Sequence, residues 1–457
     1  MFKDKTYLRT LIKIAIPIIF QQLVMNSLNM VDTVMVGQLG EEAVAAIGLA
    51  NQIFFILSVI LFGIASGAAI FTAQFWGKKD LTGIQNVLWI CLILAVSLAT
   101  VFTLLANKFP ETILGIYTKD KLVIEKGSQY LSIVSLSYIA TAVTYSFSSI
   151  MKSTENVKTP MIISVIAISL NTFLNYILIF GHFGFPQLGI RGAAIATVII
   201  RSLETGVYIL ISMFGKLPTT PYFRNLFNIK WDFLKKYLTT TLPVLLNEIS
   251  WSFGMTSYSI VYARISTQSI AAFNISSTVD NVAMVFYFGL ANASAIMIGN
   301  RIGAGEEEKG RIYGVRLIKL SVLIALVCGA AIFVSKDFVI SLYNISDLAA
   351  SLARNLLIVV SSVVVIKALN ISLLLGILRS GGDTRFTLLV EMICIWLVGV
   401  PLAVFGAFVL HLPVHFVVLL VTVEEIIKFG FLFRRFRSGK WLNNLVKKPE
   451  PETAFSI

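Results

Sequence analysis

The sequence predicts an all-α integral membrane protein with twelve transmembrane helices, arranged as two six-helix lobes related by pseudo-two-fold symmetry along the membrane normal. Three observations predict it. Hydrophobic residues make up 57% of the 457 positions, and the 30 glycines lift the apolar share to about 64%, against roughly 45–50% in soluble domains. Charged residues make up 13%, about half of the ~25% usual in a soluble domain. The apolar residues also fall into twelve stretches of about the 20 residues that one crossing needs, and the chain matches itself in one register across its two halves.

The spans are expected at about 11–36, 45–73, 85–106, 129–151, 160–181, 189–214, 237–263, 269–298, 315–335, 352–377, 386–409 and 413–433. Residues 1–10 are polar and basic, and Gln21, Gln22 and Asn26 follow with no small-residue cleavage site. This stretch therefore reads as a retained first span, not a removed signal peptide. Spans one and seven are unusually polar, so they are expected to face protein or water rather than lipid. Lysines and arginines divide 26 to 8 between alternate connections, with Arg201, Lys319 and Lys367 inside spans. The positive-inside rule then places both termini in the cytoplasm.

With a shift of 226, Ile16-Pro17 falls on Leu242-Pro243, Ala45-Ala46 on Ala271-Ala272, Phe62-Gly63 on Phe288-Gly289, Ala69-Ile70 on Ala295-Ile296 and Gly77 on Gly303. About ten of roughly sixty positions match without a gap, and at a shift of 227 Lys152-Ser153 meets Arg379-Ser380. The shift spans an even number of crossings, so both halves share one orientation, and a binding site is expected between them near the midplane. The expected division is residues 1–214 for the first lobe, 215–236 for a cytoplasmic linker, 237–433 for the second lobe and 434–457 for a cytoplasmic tail.

Other classes are excluded. No G-x-x-x-x-G-K-[ST] phosphate loop occurs, so this chain carries no ATPase engine of that type. Cys91, Cys328 and Cys394 lie far apart in apolar stretches, and His182, His411 and His415 are as scattered. They suggest neither a disulfide framework nor a metal cluster. The formal charge of +13 is spread over short connections, which points to membrane orientation and not to nucleic acid.

The exit of span one reads Asn-Met-Val-Asp32-Thr-Val-Met-Val-Gly37-Gln-Leu-Gly40, followed by Ala45-Ala46-Ile-Gly48. Span six begins Gly189-Ile-Arg-Gly192-Ala193-Ala194-Ile-Ala196-Thr197, and the turn after span ten reads Leu378-Arg379-Ser-Gly381-Gly382-Asp383-Thr384-Arg385. In this order, over twelve spans and essentially the whole chain, these segments resemble the multidrug and toxic compound extrusion (MATE) transporters. The resemblance implies a central cleft and efflux of organic cations driven by a Na⁺ or H⁺ gradient, with no cofactor beyond the coupling ion.

Ionisable groups at membrane depth are functional candidates by default. Asp32, Glu248, Asp280 and Lys367 are the expected cation-coupling residues. The resemblance implies coupling for Asp32, and coupling and drug binding for Glu248, where a Na⁺ ion is the one metal considered. The alternative for Asp32 is a hydrogen bond to a neighbouring helix, and for Glu248 a neutral carboxyl with no further role. Asp280 falls on Phe54 in the repeat, so its charge is a local addition. Asn175 stands where some members carry an aspartate, and Ala368 stands where many carry one in span ten, with Lys367 beside it. Lys367 either pairs with Glu248 or Asp280 or snorkels to the membrane face; a cation there disfavours Na⁺ and favours H⁺.

Asn171, Asn175, Asn247, Trp251, Tyr258 and Asn370 are the expected cleft residues, with Phe253, Phe286 and Tyr287 as further aromatic surfaces for flat cations. Arg201 with Glu204, and Glu424 with Lys428, read as structural pairs one turn apart, and Glu391 reads as a boundary residue. The expected activity is antiport of amphipathic organic cations against H⁺ or Na⁺ by a monomer in the plasma membrane. Its partners are small-molecule substrates and membrane lipids. The alternative is a lipid or lipid-linked oligosaccharide flippase, which calls for inward lysines and arginines in the cleft. An enzyme is disfavoured because neither histidines nor acidic residues cluster in sequence.

Overall fold

The computed structural model describes residues 5–222, 224 and 229–447. Twelve long helices carry the architecture: α1 (Lys5–Gly37), α2 (Glu41–Lys78), α3 (Leu81–Lys108), α4 (Lys121–Val134 and Ser137–Ser153), α5 (Lys158–Phe180), α6 (Ile190–Phe214), α7 (Trp231–Ile265), α8 (Thr267–Gly303), α9 (Glu307–Ser341), α10 (Asp347–Leu378), α11 (Thr384–Val409) and α12 (Val414–Arg437). The two parts of α4 meet at a 49° bend. Nine of the others are apolar enough to span a membrane by composition alone, while α7 and α12, at 35 and 24 residues, have the length but carry more polar groups. Helices are the expected solution in lipid, because each satisfies its own backbone groups. Side chains close the exposed ends: Asp80 accepts from the Gly83 amide of α3, and Ser266 from the Ser269 amide of α8.

The expected spans coincide with these helices to within a few residues, except where helices run on past the apolar core. The polar stretch Trp231–Lys236 is already the first turns of α7 rather than linker. Residues 223, 225–228 and 448–457 of the expected linker and tail lie outside the described residues, as do residues 1–4.

Both halves use the same neighbours. In the first, α2 packs on α3 and α4, α3 on α4, α4 on α6, α5 on α6 and α1 on α5; in the second, α8 packs on α9 and α10, α9 on α10, α10 on α12, α11 on α12 and α7 on α11. The halves join where α2 meets α7 and α8, and α1 meets α8. The closest approaches obey the repeat. Gly63 of α2 lies against Leu245 of α7, and its counterpart Gly289 of α8 lies against Ile19 of α1, the counterpart of Leu245. Gly77 lies against the backbone of Asn300, and its counterpart Gly303 against the backbone of Gln74. Ala73 and its own counterpart Gly299 meet across the axis, where a Cβ on Gly299 would stand 2.8 Å from that of Ala73. Small residues permit this, since helices in lipid associate through close packing and not through a hydrophobic drive.

These contacts occupy the half of the bundle toward the face where the described residues begin, at Lys5, and end, at Lys447, the terminal face. The tail closes over the same seam. Trp441 is fully buried, Gln74 Nε2 donates to the carbonyls of Ser380 and Asn443 at 3.1 Å each, and the Leu445 amide donates to Gln74 Oε1 at 2.7 Å. Lys78 Nζ donates to the Val446 carbonyl at 2.6 Å, and Asn444 Nδ2 to that of Ile302 at 2.8 Å. Residues 441–446 therefore bridge both lobes and are not a free tail. Gly381 has no room for a Cβ because the Trp441 carbonyl fills that space.

Candidate functional site

A cavity of about 490 Å³ lies between the lobes. Its wall runs along α2 from Phe54 to Ala73, about 28 Å of helix at 1.5 Å per residue. From α1 it takes Gln21, Gln22 and Asn29, and from α4 Tyr145, Ser148 and Lys152. Ser164, Arg201 and Glu204 close the first-lobe side, and Asn292 and Arg379 the second. None of the residues expected to form the cleft, Asn171, Asn175, Asn247, Trp251, Tyr258 or Asn370, lines it. Nor do Asp32, Glu248, Asp280 or Lys367. The wall has three cationic side chains and one carboxylate, the reverse of the acidic cleft expected.

The acidic candidates occupy three separate places. Asp32 is half-buried on α1 and accepts a hydrogen bond from Thr172 Oγ1 of α5 at 3.1 Å, while Asn175 Nδ2 reaches Asn171 Oδ1 at 3.4 Å and Asn175 Oδ1 is a buried oxygen without a donor. Glu248 pairs with Arg379, whose Nη1 stands 2.6 Å from Glu248 Oε1 and whose Nη2 reaches Asn247 Oδ1 at 2.5 Å. Arg379 was expected in a connecting turn. It is instead 3% exposed, following a π-helical stretch, Ser372–Leu378, at the end of α10, and held inward by Glu248 and Asn247.

The third place is a network across α7, α8, α10, α11 and α12. Lys428 Nζ lies 2.8 Å from Glu424, 3.3 Å from Glu391 and 3.5 Å from Glu425. Tyr258 Oη donates to Glu424 at 2.5 Å and Asn370 Nδ2 to Glu425 at 2.6 Å, so these two expected cleft residues hold carboxylates instead. Lys367 Nζ lies 2.9 Å from Asp280 Oδ2, which answers the choice between pairing and snorkelling. The network holds four carboxylates against two ammonium groups. Asp280 Oδ1 and Glu391 Oε2 are buried oxygens without a donor, an arrangement that is costly until something positive arrives. Trp251 lies apart from it and is 42% exposed.

Sequence reasoning missed Glu425 and the roles of Glu391 and Lys428. The signal was present: Glu424, Glu425 and Lys428 put three charges within five residues of an apolar span. It also missed Lys152, read as a connecting cation. Among the described residues no group of three or more His, Cys, Asp or Glu side chains is arranged to hold a metal ion.

The family model MatE matches residues 17–177 and again 243–405, two segments whose starts stand 226 positions apart, at Pro17 and Pro243. The chain is 25% identical to the probable multidrug resistance protein NorM of Thermotoga maritima over 86% of this chain and 84% of that protein. It is 26% identical to the NorM protein of Rhizobium meliloti, over 90% of this chain and 88% of that one. Its fold is similar to that of a multidrug resistance MATE family transporter of the MOP superfamily solved in an outward-facing conformation, with a TM-score of 0.83, 20% identity and coverage of 96% of this chain and 99% of that one. The two-fold match, the twelve helices and the repeat-related seam lead to one conclusion: this multi-pass membrane protein belongs to the MatE family.

Proposed function

We propose that the protein is a secondary antiporter of the plasma membrane, exporting amphipathic organic molecules, organic cations among them, against an inward flow of H⁺. The observation that carries this reading is the second-lobe network, with its excess of carboxylates and its two buried oxygens lacking a donor. A cation arriving there supplies the missing partner, and it does so apart from the cavity wall. Interleaved Lys367 and Lys428 repel a metal ion, which favours H⁺ over Na⁺. The names of the NorM relatives support drug export as the direction of transport.

The excess of lysine and arginine in alternate connections supports a cytoplasmic terminal face. The seam of α2, α8 and residues 441–446 is then the closed inner gate, and the described conformation faces outward. Opening inward requires those contacts to part while the far ends of the lobes approach, the rocking expected of repeat-built transporters. A monomer suffices, since the cavity and network are complete within one chain. The test is efflux of a fluorescent dye from proteoliposomes under Na⁺ and pH gradients imposed separately. Efflux on the pH gradient supports the reading, efflux that requires Na⁺ at constant pH overturns its choice of ion, and efflux on neither overturns antiport.

A further inference from the structure

The two lobes carry one arrangement with different charge. In the second, Arg379 at the end of α10 donates to Asn247 and Glu248 of α7. In the first, the same repeat places Lys152 at the end of α4, with Gln21 and Gln22 of α1 where Asn247 and Glu248 stand. The cation is kept and its carboxylate is replaced by an amide. Gln22 Nε2 donates to Asn26 Oδ1 at 3.1 Å instead.

Lys152, Gln21 and Gln22 all line the cavity. Among the described residues no group forms a hydrogen bond or ion pair with the Lys152 ammonium. The one carboxylate on the wall is already engaged: Glu204 is 3% exposed, receives Arg201 Nη1 at 2.8 Å and Ser164 Oγ at 3.2 Å. Arg379, the third wall cation, has Glu248. Glu204 acts on Lys152 only through space, so Lys152 is a half-buried ammonium on the cavity wall without a hydrogen-bonded counter-charge. Such a charge is expensive without a partner.

We propose that the substrate brings the missing counter-charge. The cavity takes amphipathic molecules whose anionic group seats on Lys152, with the Arg201 guanidinium on the same wall, while their apolar body lies against Phe54, Phe62, Ile70 and Ile296. Zwitterionic organic molecules fit it better than simple cations of the same skeleton. The inference rests on the exporter reading only in taking this cavity as the transport site. A phosphate of an acidic lipid offers the same chemistry as the carboxylate of a soluble zwitterion.

The test uses two dyes of one skeleton, tetramethylrhodamine with its free carboxylate and its methyl ester, bound to the full-length protein in phosphatidylcholine nanodiscs and followed by fluorescence anisotropy. The carboxylate form should bind about tenfold tighter than the ester, the scale of one charge-assisted hydrogen bond. Lys152→Gln should remove the difference, Gln22→Glu should reduce it by supplying an internal partner, and Lys152→Arg should keep it. Equal binding of the two dyes by wild type, tighter binding of the ester, or no saturable binding of either overturns the proposal. A preference that survives in both Lys152→Gln and Gln22→Glu also overturns it. Adding phosphatidylglycerol to the nanodiscs identifies the source: if it displaces the carboxylate dye from wild type and not from Lys152→Gln, the seat takes a lipid phosphate, and if it does not, a soluble carboxylate. Failure of dye export with this binding preference intact would sink the exporter reading and leave the seat standing.

Discussion

Gly77 of α2 and Gly303 of α8 each press on the other's helix, Gly77 on the Asn300 backbone and Gly303 on that of Gln74, and the two glycines are one position of the repeat seen twice. The contact is thus a pseudo-symmetric clasp at the terminal end of the seam. A Cβ at either site meets backbone, which cannot swing aside.

Gly303→Ala should therefore disfavour the closed terminal face by roughly 1–3 kcal/mol, the usual cost of overpacking, shifting the conformational balance about five- to 150-fold. Gln38 and Arg264 are exposed repeat partners near the far face. Spin labels at these two positions should move closer in the variant. An unchanged distance distribution would show that the clasp does not set the balance.

The tail strengthens the same clasp. Removing residues 440–457 deletes the Trp441 burial and the bonds to Gln74, Lys78 and Ile302, each worth about 0.5–1.5 kcal/mol. The same spin-label pair should shift in the same direction as for Gly303→Ala. A truncated protein indistinguishable from wild type would make residues 441–446 a passive cover.

Much of this was legible in the sequence, for a physical reason. Spans are read from local hydropathy, and the repeat from register, so neither needs a three-dimensional partner. Gly77 and Gly303 were visible as repeat partners, but not that each presses on the other's helix. Arg379 was not legible, because Glu248 and Asn247, which hold it inward, stand 131 and 132 residues away in the chain. Tyr258 and Asn370 were read as cleft residues because polarity in a span says that a group is sheltered, not what shelters it. Lys152 gains meaning only once the Arg379–Glu248 pair is seen, since an amide at Gln22 signals nothing alone.

Buried pairs should answer mutation asymmetrically. Glu248→Gln leaves Arg379 buried with only Asn247 to receive it, and removing one partner of a buried pair costs about 3–5 kcal/mol. The melting temperature should fall, and the double variant Glu248→Gln/Arg379→Gln should recover part of the loss. Asp32→Asn, whose partner Thr172 can still bond an amide, should keep its stability. An unchanged melting temperature in Glu248→Gln would show that Arg379 does not depend on its carboxylate partner.

Lys428 serves three carboxylates from inside the network, whereas Arg354 meets Asp337 at 2.7 Å with half its side chain exposed. Lys428→Met should lower the melting temperature far more than Arg354→Met, which should cost about 0–1 kcal/mol, as exposed pairs do. Equal effects would mean that the network is not held together by Lys428.

The central claim is that efflux is exchanged for protons through the second-lobe network, and the most direct measurement is proton movement itself. Proteoliposomes carrying an internal pH indicator, with Na⁺ absent on both sides, are given a gradient of a rhodamine dye. Dye flowing one way should drive protons the other way in wild type, Glu391→Gln should abolish this proton movement, and Lys367→Ala should change its pH profile. Dye flux with no proton movement in wild type, or full proton movement in Glu391→Gln together with an unchanged profile in Lys367→Ala, would contradict it.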